Sequence, residues 1–297
     1  MKKRVLTSKV LCVCMAAGLL CTGCGKSEKE TTTAATTAAA ELSTEAPQDV
    51  VTIEEQVLVD EKEVKVTAKR VGTYKGDLLM LDNQLILEAE NHTDKLISVG
   101  FFDSSVNGYM IDCDYSSFVQ PGETREIPSG FNESQMEMCG ITTLAEMEFA
   151  IRVTYEETYE DILSTEPFVI KTSAADDFKY EFDESGTVAY DKDGFKIVVH
   201  GVHHDNVFAG EDIVIYASNQ SDKYISVSSQ DEKINGQAVE AYFGMDVLPG
   251  KSAMGLLGTD SEHAIEKIES FEGSFSIQDY ENGDNIVEKT DPVSVTF

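Results

Sequence analysis

Three of the five histidines stand close together as His200, His203 and His204, with Asp205 beside them. Imidazole nitrogens and a carboxylate at such spacing suit Zn2+, so this cluster is a candidate metal site. The plainer alternative is a polar turn after a strand: His200 matches Lys69 of an internal repeat, and the other two fall where the copies differ in length. Asp279, Glu281 and Asp284 flank Asn282-Gly283 and could offer oxygen ligands to Ca2+, although they miss EF-hand spacing and turns in an acidic chain are ordinarily acidic. Pro249-Gly250-Lys251-Ser252 ends like a phosphate-binding loop. Its spacing from Gly244 is one residue too long, and Pro249 removes an N–H from the cradle, so a strand-to-strand turn is expected. No Gly-x-Ser-x-Gly elbow is present, and carboxylates are too plentiful for a pair to be informative. The expectation is therefore a non-enzyme without a cofactor.

Six cysteines are present. The chain opens with a basic Met-Lys-Lys-Arg, an apolar run from Val10 to Leu20 and small residues before Cys24, the order of a secretory signal over residues 1–23. The run is too short for an ordinary transmembrane helix. Leu20-Cys21-Thr22-Gly23-Cys24 resembles the bacterial lipobox, in which a small residue precedes a cysteine that receives diacylglycerol; it departs from that pattern in holding Cys21 three places before Cys24, where leucine is usual. The resemblance implies lipidation at Cys24 and attachment through acyl chains to the extracellular face of the bacterial cell membrane.

Cys12, Cys14 and Cys21 would leave with the signal, so Cys113 and Cys139 remain for the folded part. Outside the cytoplasm they either form a disulfide, worth on the order of 3 to 4 kcal/mol in the chain-entropy model, or stay as two free thiols. The second repeat offers no guide, having Ala241 where Cys113 stands. Residues 24–50 are rich in Thr, Ala, Ser and Glu with no aromatic residue, the composition of a disordered tether. Such a coil would hold the first folded domain roughly 25 to 35 Å from its anchor.

The formal net charge is −31, and four basic residues, Lys2, Lys3, Arg4 and Lys9, belong to the signal. An acidic surface of this kind repels phosphate backbones, so nucleic acid is not an expected partner.

The dominant pattern is an internal repeat. Asn91 to Asp112 matches Asn219 to Glu240, pairing Asp94 with Asp222, Lys95 with Lys223, Ile97 with Ile225, Val99 with Val227, Asn107-Gly108 with Asn235-Gly236 and Pro121-Gly122 with Pro249-Gly250. Val64, Val66 and Ala68 alternate with polar neighbours, as do Phe195, Ile197 and Val199, which is the period of half-buried strands. The Asn-Gly pairs predict hairpin turns, and one short helical stretch is expected in each copy, near Glu133 to Thr143 and Ser261 to Lys267. The pattern implies two tandem immunoglobulin-like antiparallel β-sandwich domains, an all-β chain with domains at 51–172 and 186–297 joined by a linker at 173–185. With no Trp in the chain, the Cys-Trp-Cys core of antibody domains cannot form.

The Asn-x-Ser/Thr-Asp-Lys-x-Ile-Ser-Val, Asn-Gly and Pro-Gly elements resemble a class of uncharacterised clostridial lipoproteins and zinc-ribbon surface proteins carrying this unit singly or in tandem. The resemblance implies an extracellular sandwich and brings no catalytic residues. Phe101, Phe102, Tyr109 and Tyr115 become Ser229, Gln230, Gln237 and Phe243 in the second copy, so they form either an adhesive face, a contact between domains, or core. The function expected is a membrane-anchored binding or spacer module for an envelope or extracellular protein, peptide or glycan. The alternative is an acidic lipoprotein that binds divalent cations.

Overall fold

The computed structural model describes residues 51–76, 80–205, 210–259 and 264–297, with Asp205 described by its backbone only. Residues 1–50, which hold Cys24 and the segments expected to be a signal and a tether, lie outside the described residues. The first repeat comprises β1 (Gln56–Asp60), β2 (Val64–Lys75), β3 (Met80–Asn91), β4 (Ile97–Val106), β5 (Tyr109–Met110), β6 (Ser117–Val119), β7 (Thr124–Pro128), α1 (Glu133–Met138), β8 (Glu146–Tyr155), β9 (Asp161–Ser164) and β10 (Phe168–Lys171). The second comprises β11 (Thr187–Lys192), β12 (Phe195–Asp205), β13 (Gly210–Asn219), β14 (Ile225–Ile234), β15 (Gln237–Ala238), β16 (Gly244–Val247), β17 (Ser252–Leu257), β18 (Ser270–Asp279), β19 (Asn285–Val287) and β20 (Val293–Thr296). Strand for strand, the second set repeats the first; the helical stretch expected at Ser261–Lys267 is not borne out at residues 264–267, which are irregular, and its first three residues lie outside the described ones.

The fold is all-β, and each repeat is an antiparallel sandwich of immunoglobulin-like kind. In the first, β1-β2-β3-β7 faces a layer of β10-β8-β4-β5; in the second, β11-β12-β13-β17 faces a layer built on β14 and β18. Alternation decides which side chains enter each core. Val64, Val66, Leu85, Leu87, Val99, Phe149 and Ile151 fill the first, and Ile197, Val199, Ile213, Ile215, Val227, Phe275 and Ile277 fill the second.

The shared Asn-x-Ser/Thr motif is structural. Asn91 Nδ2 donates to the carbonyls of Lys95 and Val119 while its Oδ1 accepts from Thr93 N and Oγ1. Asn219 does the same with Lys223, Val247 and Ser221. Both side chains are buried, so each closes its loop by satisfying backbone groups that water cannot reach. Asn107 and Asn235 likewise turn from the hairpin toward the segments that lead into β8 and β18, donating to Thr143 O and Lys267 O. At Asn107-Gly108 both residues have positive φ, 51° and 82°, as the turn requires.

The two sandwiches meet edge to edge. β5 pairs in parallel with β17 at Tyr109 and Ser252, and Ser252 N donates to Gly108 O at 2.9 Å, so a single ten-stranded sheet runs through both repeats. Around this junction Val198, Val214, Tyr216 and Met254 of the second repeat join the first repeat's core cluster, together with Phe182 from the connecting segment. Around Val198, Val214, Tyr216 and Met254, strands β12, β13 and β17 are thus buried on both faces. In the first repeat the positions matching Tyr216 and Met254 are Glu88 and Glu126, and there the same face carries charge.

Candidate functional site

The outward face of the first repeat's β6-β4-β8 layer forms a groove of about 230 Å3 lined by Ser98, Gly100, Ser116, Arg152, Thr154 and Tyr159. Register explains the gathering. Ser98 pairs with Thr154 on β8 and with Phe118 on β6, and Gly100 pairs with Arg152, so small polar residues of β4 run between larger residues of its neighbours. Gly100 forms the floor: a Cβ there would come within 2.9 Å of Ser116 Oγ. Phe118, beside Ser98 on the same face, is 46% exposed.

Tyr159 rises from the turn after β8 and is 75% exposed. Its φ of 57° is left-handed, a costly conformation for tyrosine that a local bond network maintains. Tyr159 N donates to Tyr155 O at 2.8 Å, and Tyr155 N to Glu160 O at 2.9 Å. Arg152 Nε donates to Asp161 Oδ1 at 2.6 Å, and that bond holds the Asp161 carboxyl below its ordinary range. The second repeat has no counterpart: Phe118, Arg152 and Thr154 become Asp246, Ser276 and Gln278. There Ser226 Oγ donates to Asp246 across the same face.

The histidine cluster does not converge. His200 Nε2 lies 3.0 Å from Asp183 Oδ2 and 3.4 Å from Ser185 Oγ, turned toward the connecting segment. His203 and His204 are exposed neighbours on β12, pairing with Asp212 and Glu211, and adjacent strand residues project to opposite faces. The Asp205 side chain lies outside the described residues. Among the described residues no group of three or more His, Cys, Asp or Glu is disposed to hold a metal ion. Asp279 instead pairs with Lys223 at 2.9 Å and accepts from Glu281 N, so the acidic turn is closed on itself.

Cys113 and Cys139, for which a disulfide and free thiols were both open, are free thiols. Cys113 Sγ donates to Ser104 Oγ at 3.3 Å, whereas the Cys139 sulfur is hydrogen-bonded by the backbone of Met254 in the other repeat. Each sulfur is committed to a different partner, and burial pushes both thiols up to about 12.

Other singled-out residues belong to the junction. Lys251, of the loop-like Pro-Gly-Lys-Ser run, pairs with Glu148 of the first repeat at 2.6 Å. Tyr109 is buried, its ring edge-on to Phe182 at 4.9 Å and its hydroxyl accepting from Asp183 N. Burial raises its phenol to about 12. Glu184 receives Tyr216 Oη at 3.2 Å and also Lys196 Nζ. Tyr224 Oη reaches across to Asp103 Oδ1 at 3.0 Å. Phe101 is core, edge-on to Phe149, while Tyr115 is exposed. Composition alone did not reveal the junction, but a signal existed: Glu88 and Glu126 give way to Tyr216 and Met254 between two otherwise matching copies.

No family model matches the chain, and no curated protein does. Among solved structures it is similar to the YadV chaperone, at 13% identity over 78% of this chain and 100% of that one with a TM-score of 0.22. It is also similar to a Salmonella enterica SafA pilin–SafB chaperone complex, at 11% identity over 80% and 98% with a TM-score of 0.21. A bacterial ice-binding adhesin matches at 14% identity over 72% and 56%, TM-score 0.20. Superposition at this level carries no functional argument.

Proposed function

We propose that the protein is a lipid-anchored binding module on the extracellular face of the bacterial cell membrane, tethered at Cys24 and holding two fused sandwiches toward an envelope or extracellular partner. The carrying observation is the groove of the first repeat, built from Ser98, Gly100, Ser116, Arg152, Thr154 and Tyr159 and erased in the second copy. Two copies of one sandwich share their core and loop chemistry, so a face that differs between them reflects a demand outside the fold. The second copy would act as a spacer, docked through its both-sided sheet so that the groove is presented on a stiff body. The lipobox-like residues before Cys24 support the anchor, and the charge of −31 argues against nucleic acid as partner.

The test uses the full chain expressed in a Gram-positive host, with a photo-crosslinking residue replacing Phe118 beside the groove or Val188 in the second repeat. The reading expects membrane retention that Cys24→Ala abolishes and crosslinked species from position 118 that are absent from position 188. Retention that ignores Cys24, or crosslinking indifferent to position, would overturn it.

A further inference from the structure

Resting on that binding reading, we infer that the groove recognises a neutral, polyhydroxylated ligand, the exposed sugar rings of a glycan. Three features of the lining select this class. First, the main chain of the floor is paired with β8 from Ser98 through Gly100 and with β6 at Ser98 and Val99, and Ser116 stands against Gly100 on the β6 side. A peptide therefore cannot add as a strand there. The lining also contains no aliphatic side chain to hold an apolar peptide anchor.

Second, charge is compensated. Arg152, the cation of the groove, is neutralised by Asp161 at 2.6 Å, and Glu156, Glu157 and Glu160 lie in the turn that carries Tyr159. An anionic ligand would meet this acidic turn and the field of a chain at −31. Third, the groups that remain match a sugar. Ser98, Ser116 and Thr154 supply hydroxyls that both donate and accept, and the guanidinium keeps N–H donors that the Nε–Asp161 bond does not use. The Tyr159 ring, 75% exposed on a backbone held by its turn, offers a flat apolar face with a polar tip, the complement of a pyranose with its axial C–H side.

A groove of about 230 Å3 takes one ring at a time. At an ordinary ligand efficiency a ring of about twelve non-hydrogen atoms gives a Kd on the order of 1 mM, so useful binding requires repeated rings in a polymer.

The experiment presents the full chain to polymers bearing neutral hexose or N-acetylhexosamine oligosaccharides, beside sulfated and sialylated versions and the bare polymer. Retention of a neutral glycan polymer is expected, reduced at least tenfold by Tyr159→Ala and by Gly100→Val, and unchanged by Tyr242→Ala in the second repeat. Because Tyr159 is exposed, its variant keeps the far-UV spectrum of the parent even if Gly100→Val does not fold. Binding only of charged glycans, or binding indifferent to Tyr159→Ala, would overturn the inference. No glycan binding while position 118 still crosslinks to a protein would sink the sugar and leave the binding-module reading standing.

Discussion

Met254→Ala tests whether the two sandwiches are one thermodynamic body. Met254 is 5% exposed and sits where β17 enters the first repeat's core cluster. Truncating a buried methionine costs about 2–5 kcal/mol, and a boundary between two sandwiches can settle into part of the vacancy, so the lower half of that range applies, about 2–3 kcal/mol. For a unit of this size each kcal/mol moves Tm by about 2–4 °C, giving a fall of roughly 5–10 °C. Calorimetry supplies the assay. The parent should melt in one transition whose calorimetric and van't Hoff enthalpies agree. Met254→Ala should lower that transition as a whole, and adding Tyr216→Ala should split it in two, because each repeat retains its own interior. Leu256→Ala, 38% exposed on the same strand, should change stability by less than about 0.5 kcal/mol. Two independent transitions in the parent, or a Met254→Ala effect confined to one of two, would refute the reasoning.

Asn91→Ala and Asn219→Ala should each cost about 2–4 kcal/mol in urea unfolding, since each strands a buried carbonyl, of Val119 or Val247, and frees a loop; unequal costs would break the equivalence of the two loops. Cys113 and Cys139, with thiols raised to about 12 by burial, should resist a disulfide reagent in the native state at pH 8 and react on unfolding; fast native labelling would contradict their placement. Asp183 is held down to about 2, first by the Ser185 hydroxyl, then by the Ser185 N–H and His200. A depressed carboxylate stabilises the fold above its unfolded pKa near 4 and loses that contribution as pH falls toward 2. With its side chain 60% exposed the effect is screened to no more than about 1 kcal/mol, and Asp183→Asn should flatten that acid limb of the stability curve.

Period-2 alternation, Asn-Gly turns and the doubled Asn-x-Ser/Thr loop sufficed to read two antiparallel sandwiches, because strand identity and core face depend on neighbours along the chain. The local role of Asn107 and Asn235 was legible for the same reason: hairpin geometry demands positive φ wherever the pair occurs. What lay beyond local pattern was which outward faces would be covered. Segment 173–185, read as a linker, supplies Phe182, Asp183 and Glu184 to the junction, and Lys251 finds its carboxylate in Glu148 of the other copy. Three histidines close in sequence diverge because strand geometry alternates their directions, while Gly100, Ser116 and Tyr159, distant in sequence, converge through register. Local order follows from backbone sterics and side-chain period; the site and the junction exist only once remote strands have met, so tertiary structure alone decided them.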